Sequence, residues 1–190
     1  EILTAEALRA QSKEFLIKKY SALCELWGLC GEAMLAALPL YHVFAMTVCA
    51  LYGIHAGMKN VLVINPRDRK TLVHTWRKYP VHIFPGVNTL FNALMQEPEF
   101  SRLNFSDLKL VFGGGMALQS AVASRWVELT GRPLIEGYGL SECSPVVAAN
   151  PTDAKVFSGS VGLALPSTEI TIFDAQGQAV QAGVHGEIAV

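Results

Sequence analysis

The sequence predicts an α/β fold, with a mainly parallel sheet and flanking helices followed by a short antiparallel β segment. Short apolar runs alternate with helix-like stretches from Met34 to Glu136, and the connections between them are short. This alternation is typical of βαβ units, which build parallel sheets with helices on their faces. After Pro151, apolar and polar residues alternate between turn signals without any helix-like stretch. That second pattern indicates β hairpins.

The strands of the α/β part are predicted from five apolar runs of strand length. They are residues 34–40, 61–64, 81–84, 108–112 and 134–136. Apolar residues at helical spacing predict the helices, whose first residues or caps are Thr4, His42, Asp68, Asn88 and Leu118. The last helix is predicted to end at a Gly131 cap. The helix over residues 42–53 is apolar on nearly all faces, which predicts that it is buried.

Two domains are expected from the change of pattern. Residues 1–150 are predicted to form the α/β subdomain, and residues 151–190 the start of a truncated β-rich, barrel-like subdomain. The sequence begins without Met and stops inside a strand-like run, so we expect it to be a piece of a longer chain.

Composition narrows the function classes. Fifteen Lys and Arg residues against sixteen Asp and Glu give a net charge of −1 without a basic stripe, which argues against nucleic-acid binding. The four cysteines form no C-x-x-C pair, so reduced thiols in a cytoplasmic protein are expected. The apolar residues 33–64 are interrupted by polar side chains and glycines, which favours a buried strand–helix–strand unit over a membrane span.

Residues 133–145, PLIEGYGLSECSP, carry the most chemistry in the sequence. In the simplest interpretation they are a strand end with a glycine turn. Glycines on both sides of Tyr138 would also let the backbone approach a flat ligand while the ring stacks on it. Ser141 and Glu142 supply the hard oxygen atoms that Mg²⁺ prefers when it also holds phosphates.

A second glycine cluster, Gly113–Gly114–Gly115, also follows an apolar run. In parallel sheets, ligands bind beyond the carboxyl ends of the strands. The two clusters lie at such ends, so we expect them to converge on one ligand. His42 is interpreted either as a hydrogen-bonded core residue or as a polar group that faces a pocket. Asn88 and Thr89 are likewise either a helix cap or a pocket lining.

The order of these pieces is similar to that of a known family. ALPLYHVFA, VLVINPRD, PGVNTLFNAL, VFGGGMAL, EGYGLSECSPVV, GSVGLALPSTEITI and GEIAV follow one another along the chain. Together they resemble the acyl-CoA synthetases of the adenylate-forming superfamily, and most of all bacterial long-chain fatty acid–CoA ligases. The resemblance covers almost the whole chain, which would be a central fragment of the family's N-terminal domain.

The resemblance implies a nucleotide site. In the family, the loop matched by Gly113, Gly114, Gly115 and Met116 borders one face of the adenine, and the residue matched by Tyr138 packs on the other. Gly137 and Gly139 would form the wall between the nucleotide and the acyl group. Glu136 occupies a position from which family members reach the adenine amino group.

The resemblance also implies the catalytic and acyl-binding residues. Ser141 stands where the family usually has Thr and would contact the phosphates, and Glu142 matches the Mg²⁺-coordinating glutamate. His42 lies in the segment near the acyl carboxylate, and Val87 and Thr89 would border the acyl tunnel.

The implied reaction joins a fatty acid to CoA at the expense of ATP, with Mg²⁺ as metal cofactor. A carboxylate attacks the α-phosphate to give acyl-AMP and pyrophosphate, and the CoA thiol then displaces AMP. The family's phosphate loop, ribose-binding aspartate and C-terminal lysine have no match in these 190 residues, so we expect the isolated chain to be inactive.

The alternatives are a fatty acyl-AMP ligase, an acyl–carrier-protein synthetase and a non-catalytic nucleotide- or acyl-binding module. Peripheral contact with the inner membrane and a homodimer are further expectations from the resemblance.

Overall fold

The structure is a computed structural model that describes residues 31–190. The helix predicted to begin after Thr4 lies outside these residues. Within them, the predicted α/β class is confirmed, and a two-stranded antiparallel sheet follows the main sheet.

Between residues 31 and 190, seven strands form the main sheet in the order β2-β1-β3-β4-β5-β6-β7. The strands are β1 (Ala33–Ala36), β2 (Lys59–Leu62), β3 (Ile83–Gly86), β4 (Leu110–Gly113), β5 (Leu134–Gly139), β6 (Val146–Ala149) and β7 (Leu163–Ala164). β1 to β5 run parallel, and β6 and β7 are added antiparallel. The small sheet pairs β8 (Thr171–Phe173) with β9 (Glu187–Ala189).

The helices connect the parallel strands as predicted. The first, α1, consists of three consecutive stretches, Val43–Ala45, Met46–Tyr52 and Gly53–His55, of which the middle one is π-helical. The other α-helices are α2 (Arg69–Lys78), α3 (Asn88–Met95) and α4 (Ser120–Thr130). Short 3₁₀ turns occupy Phe100–Arg102 and Ser141–Cys143.

The core lies on both faces of the parallel strands because successive strand residues point to opposite faces. On one face, α2, α3 and α4 bring Trp76, Phe91 and Trp126 together around Phe84. The Trp76 and Phe91 rings meet Phe84 edge to face, with centroids 4.8 Å and 5.8 Å from it, whereas the Trp126 ring stacks on Phe84 at 6.0 Å. On the other face, Ala45, Cys49 and Tyr52 of α1 pack on the alternate strand residues.

The prediction that the helix at residues 42–53 is buried on nearly all faces is wrong. Met46, Leu51 and Ile54 of α1 are exposed, and Ile54 retains 72% of its accessible surface. α1 contacts the sheet along one side only. Apolar composition predicts that a helix is partly covered, but it does not say on how many sides neighbours lie.

Several predicted strand ends are also wrong. β1 ends at Ala36 rather than at residue 40, and β2 begins two residues before the predicted run. Pro85 and Gly86, which follow the predicted strand at residues 81–84, belong to β3 and pair with Phe112 and Gly113. β1 pairs with β3 only near the start of β3, so a proline further along does not interrupt that ladder.

The main sheet continues past residue 150, since β7 pairs with β6. This pairing crosses the predicted boundary between the two domains. The division into residues 1–150 and 151–190 stays a prediction.

None of the helices within residues 31–190 has the length and apolar character needed to cross a membrane.

Candidate active site

β5 changes its partner halfway along its length. Glu136 still pairs in parallel with Gly113 of β4, whereas Gly137 and Tyr138 pair antiparallel with Ala149 and Ala148 of β6. The interpretation of this motif as a strand end with a glycine turn is therefore wrong. Its two glycines and tyrosine are strand residues, and the pairing partner, which sequence alone does not show, decides this.

The turn that follows β5 carries Ser141 and Glu142, and it brings the end of β5 close to the start of β6. The backbone N–H of Leu140 donates to the carbonyl oxygen of Pro145 at 2.8 Å. Ser141 and Glu142 are both exposed on the 3₁₀ turn that closes this hairpin. Ser144 ends the turn in the left-handed region with φ of 57°, although a residue before proline ordinarily has an extended backbone.

The structure brings the two glycine clusters together at the carboxyl edge of the parallel strands. A β-carbon on Gly114 would lie 3.4 Å from the carbonyl oxygen of Gly137 and 3.6 Å from the Phe44 ring. A β-carbon on Gly115 would lie 3.6 Å from Val87. Gly115 also has φ of +76°, which favours glycine. Loops after β3 and β4, strand β5 and helix α1 therefore meet at one place.

From the sequence, Phe44 suits an alkyl-chain contact and a core position equally well. It lies in an apolar run in which nothing distinguishes it from its neighbours. Its position beside Gly114 depends on how α1 crosses the sheet, and no local signal reports that crossing.

His42 is an exposed residue that caps α1, and its Nδ1 accepts a hydrogen bond from the N–H of Phe44 at 3.2 Å. The interpretation of His42 as a buried core residue is wrong. A role for His42 near an acyl carboxylate stays a prediction.

Asn88 was predicted to cap its own helix, and this is also wrong. The N-cap of α3 is Val87, which makes no side-chain hydrogen bond to the helix. The Asn88 side chain is buried, and its Oδ1 accepts from the N–H of Gln119 at 3.0 Å, just before α4.

Glu136 is buried as well, although it was predicted to reach a ligand. Its Oε1 accepts from the backbone N–H of Leu118 at 3.0 Å. The carboxylate is therefore already engaged with the segment that follows the glycine loop. A contact between Glu136 and adenine stays a prediction.

A cavity of about 380 Å³ opens beside the glycine loop, at the carboxyl ends of β1 and β2 and the start of α3. Val87 and Thr89, the two residues predicted for an acyl tunnel, both line it. The other lining residues are Ala37, Leu38, Pro39, Pro66, Arg67, Arg69, Leu90 and Ala93. Most of this wall is apolar, and the two arginines, which the sequence analysis did not single out, add positive charge.

The metal-ligating groups are sparse. Among residues 31–190, no three His, Cys, Asp or Glu side chains come together as a metal site. Glu142 is a single exposed carboxylate beside the Ser141 hydroxyl. One carboxylate fits Mg²⁺ of the kind that takes its remaining ligands from phosphates and water.

The two thiols in the described part of the chain differ in their surroundings. Burial raises the pKa of Cys49 to about 12, because the apolar interior disfavours the thiolate. Cys143 is partly exposed in the turn beside Glu142. Neither forms a disulfide.

Known proteins are similar to this chain in both sequence and fold. A model of the family described as AMP-binding enzyme matches residues 3–190. The long-chain-fatty-acid–CoA ligase of Yersinia pestis is 50% identical over 159 residues, which are 84% of this chain and 28% of that protein. The ligase of the same name from Bacillus subtilis (strain 168) is 33% identical over 163 residues, which are 84% of this chain and 29% of that protein. The chain thus spans little more than a quarter of these relatives.

Solved structures share the fold at lower identity. Apo MatB from Rhodopseudomonas palustris superposes with a TM-score of 0.78 and 24% identity, over 91% of this chain and 34% of that chain. The anthranilate CoA ligase AuaEII, solved with anthranoyl-AMP, gives a TM-score of 0.77 and 23% identity, over 90% of this chain and 34% of that chain. At such identities the likeness establishes the fold alone.

Proposed function

Because this chain belongs to the family of AMP-binding enzymes, we propose that its full-length protein is an ATP-dependent long-chain fatty acid–CoA ligase. The observation that carries the proposal is the meeting of the two glycine clusters beside an apolar cavity. Gly114 lies against Gly137, and Val87 both neighbours Gly115 and lines the cavity. The glycine clusters suit a flat base and the cavity suits an alkyl chain, so the two sites are adjacent. The family description supports the nucleotide, and the relatives' names support the fatty acid and CoA.

The nucleotide would lie between the glycine loop and Tyr138. Gly114 and Gly115 offer one face of the adenine a surface without side chains, and Gly113 and Met116 flank them. Tyr138 is half-buried in β5 and offers a ring for the other. Gly137 and Gly139 flank the ring and would separate the base from the acyl group.

Electrostatic repulsion opposes the first step of the reaction. A fatty carboxylate must approach the α-phosphate of ATP, and both groups are negative. Ser141 would donate a hydrogen bond to the phosphates, and Glu142 would hold Mg²⁺ beside them. Bound there, Mg²⁺ would neutralise part of the phosphate charge and align the leaving pyrophosphate. Both side chains are exposed on a short, closed turn, which suits contact with a polyanion.

The acyl chain would enter the cavity of about 380 Å³ that Val87 and Thr89 line. Its apolar wall stabilises an alkyl chain by removing it from water. His42 would lie near the acyl carboxylate at the start of α1. Once acyl-AMP has formed, the CoA thiol would attack the acyl carbon and release AMP.

The test is pyrophosphate release by the full-length protein with ATP, Mg²⁺ and palmitate, followed by acyl-CoA formation when CoA is added. Glu142→Gln removes the metal-binding charge and keeps the side-chain shape, so we expect about a 10²-fold loss of kcat. Glu169→Gln changes an exposed glutamate outside the site and should retain wild-type rates. Equal rates for wild type and Glu142→Gln would refute the assignment of Glu142.

Acyl-AMP that accumulates without thioester formation would instead support the fatty acyl-AMP ligase alternative. Absence of both products in the wild type would support a non-catalytic binding module. Inactivity of the isolated 190-residue chain, a cytoplasmic location, peripheral membrane contact and a homodimer stay predictions.

A further inference from the structure

We infer that Asn88 and Glu136 are positioning residues that hold the glycine loop in its binding shape from two sides. The inference rests on the proposed function, because the loop is where the nucleotide would bind. β4 leads into the loop and lies between β3 and β5 in the sheet. Asn88 follows β3, and Glu136 belongs to β5, so the two side chains stand on opposite sides of the loop's origin.

Both side chains bind the same short segment. Glu136 Oε1 accepts from the N–H of Leu118, and Asn88 Oδ1 accepts from the N–H of Gln119, each at 3.0 Å. These are the last two residues before α4. The two neighbouring N–H groups therefore bind strand β5 and the start of helix α3, which follows β3, so the segment is held from both sides of β4.

The start of the loop is held as well. The N–H of Gly114 donates to the carbonyl oxygen of Gly86 at 3.3 Å, which ties the loop to the end of β3. The Leu118 side chain folds back over Gly113, where it fills the space that a β-carbon would occupy. The loop from Gly113 to Leu118 is thus closed on itself by packing and attached at both ends by hydrogen bonds.

These contacts affect ligand binding because three consecutive glycines are conformationally free. Glycine loses more conformational entropy on ordering than any other residue. A loop without these contacts would lose that entropy when the ligand binds, which would weaken binding. Glu136 and Asn88 are both buried, and hydrogen bonds in a low-dielectric interior are stronger than exposed ones.

This assignment differs from a direct contact between Glu136 and adenine. If Glu136 acts through Leu118, any side chain that places an acceptor oxygen at that point should hold the loop equally well. Glu136→Gln keeps such an oxygen, whereas Glu136→Ala and Asn88→Ala leave a backbone N–H without its partner. A residue that touches the base directly would give no such ranking of loop mobility.

The experiment uses the full-length protein and three measurements. Amide hydrogen exchange over residues 113–119 reports the mobility of the loop, calorimetry reports the dissociation constant for ATP, and thermal unfolding reports the global fold. Asn104→Ala and Glu128→Gln are the matched controls, since both change exposed side chains away from the loop.

For Asn88→Ala and Glu136→Ala, we expect exchange in the loop to rise at least tenfold and the dissociation constant for ATP to rise about 10- to 100-fold. Glu136→Gln should stay within about threefold of wild type in both, and it keeps the inference testable if an alanine variant fails to fold. Both controls should match the wild type in both measurements.

Weaker ATP binding by Glu136→Gln with unchanged loop exchange would overturn the inference in favour of a direct contact. Unchanged exchange in folded alanine variants would overturn it outright. Failure of the wild type to bind ATP would refute the proposed function instead, and the exchange data would still decide whether the two residues hold the loop.

Discussion

A β-carbon on Gly139 would lie 1.8 Å from the carbonyl oxygen of Pro145. The same oxygen accepts a hydrogen bond from Leu140, so the two strands cannot move apart without losing it. Gly139 therefore lets β5 and β6 approach closely, and that approach shapes the turn which carries Ser141 and Glu142.

Replacing Gly139 should test this dependence. Gly139→Ala forces the β-carbon into backbone atoms that cannot rotate away, so we expect a loss of about 1–3 kcal/mol in the free energy of unfolding. For a chain of this size, the melting temperature should fall by several degrees. Thermal unfolding measures the change.

Gly137→Ala is the control for stability. A β-carbon there would meet the nearest atom, the Ala148 carbonyl oxygen, at 3.5 Å, which is an ordinary contact. Equal melting temperatures for the two variants would contradict the argument.

The second prediction concerns Tyr138. Stacking of an aromatic ring on a base contributes about 1–3 kcal/mol, so Tyr138→Ala should raise the KM for ATP about 5- to 150-fold in the full-length protein. Tyr138→Phe keeps the ring and should change KM by less than about threefold. If the phenylalanine variant lost as much as the alanine variant, the hydroxyl rather than the stacking face would be the important group.

The third prediction concerns acyl-chain length. Thr89 is exposed at the wall of the cavity of about 380 Å³, so Thr89→Trp should fill part of this volume without disturbing the core. We expect activity with palmitate to fall about tenfold or more relative to activity with octanoate. Steady-state kinetics with both acids measures the ratio.

Thr152→Trp adds the same bulk at a separate, smaller cavity, which Leu110 of β4 and Ile135 of β5 also line, and it should leave the ratio unchanged. A palmitate-to-octanoate ratio in Thr89→Trp equal to that of the wild type would separate this cavity from the acyl chain.

The fourth prediction follows from the raised pKa of Cys49. With a pKa of about 12, the thiolate fraction at pH 8 is roughly 10⁻⁴, and the side chain is fully buried. Iodoacetamide should therefore leave Cys49 unmodified in the native protein and react with it after unfolding in guanidinium chloride. Mass spectrometry of the peptides measures this, with the partly exposed Cys143 as the comparison.

The same pKa sets a direction for stability. Above about pH 9, the unfolded thiol ionises while the buried one stays protonated, so the unfolded state binds fewer protons. The contribution of Cys49 to the free energy of unfolding should fall as pH rises from about 9 to 12. Cys49→Ala should weaken this fall, and an identical pH profile would contradict the assignment.

Local signals in the sequence were sufficient for much of the fold. Asp68 was predicted to cap α2, and its Oδ1 accepts from the N–H of Thr71 at 3.1 Å. The Thr71 hydroxyl and N–H hold the pKa of Asp68 below its usual range. Gly131 was predicted to end α4, and it does so with φ of +70°. Both features depend only on residues within one helical turn, so a short stretch of sequence contains the whole cause.

The candidate site could be predicted only in part. The approach of the two glycine clusters was predicted, because both follow parallel strands whose carboxyl ends share one edge of the sheet. The roles of Tyr138 and Glu142 stay predictions. Arg67 and Arg69 were missed, because two arginines carry no signal until the chain brings them to a cavity.

The alternation of strands and helices, the helix caps and the glycine motifs are properties of short segments, and residue order alone determined them. Tertiary structure decided that β5 exchanges a parallel partner for an antiparallel one, that Asn88 binds Gln119 rather than its own helix, and that one side of α1 is exposed. Each of these outcomes depends on a partner distant in sequence. A hydrogen bond or a buried face requires two interacting segments, and a local sequence pattern describes only one of them.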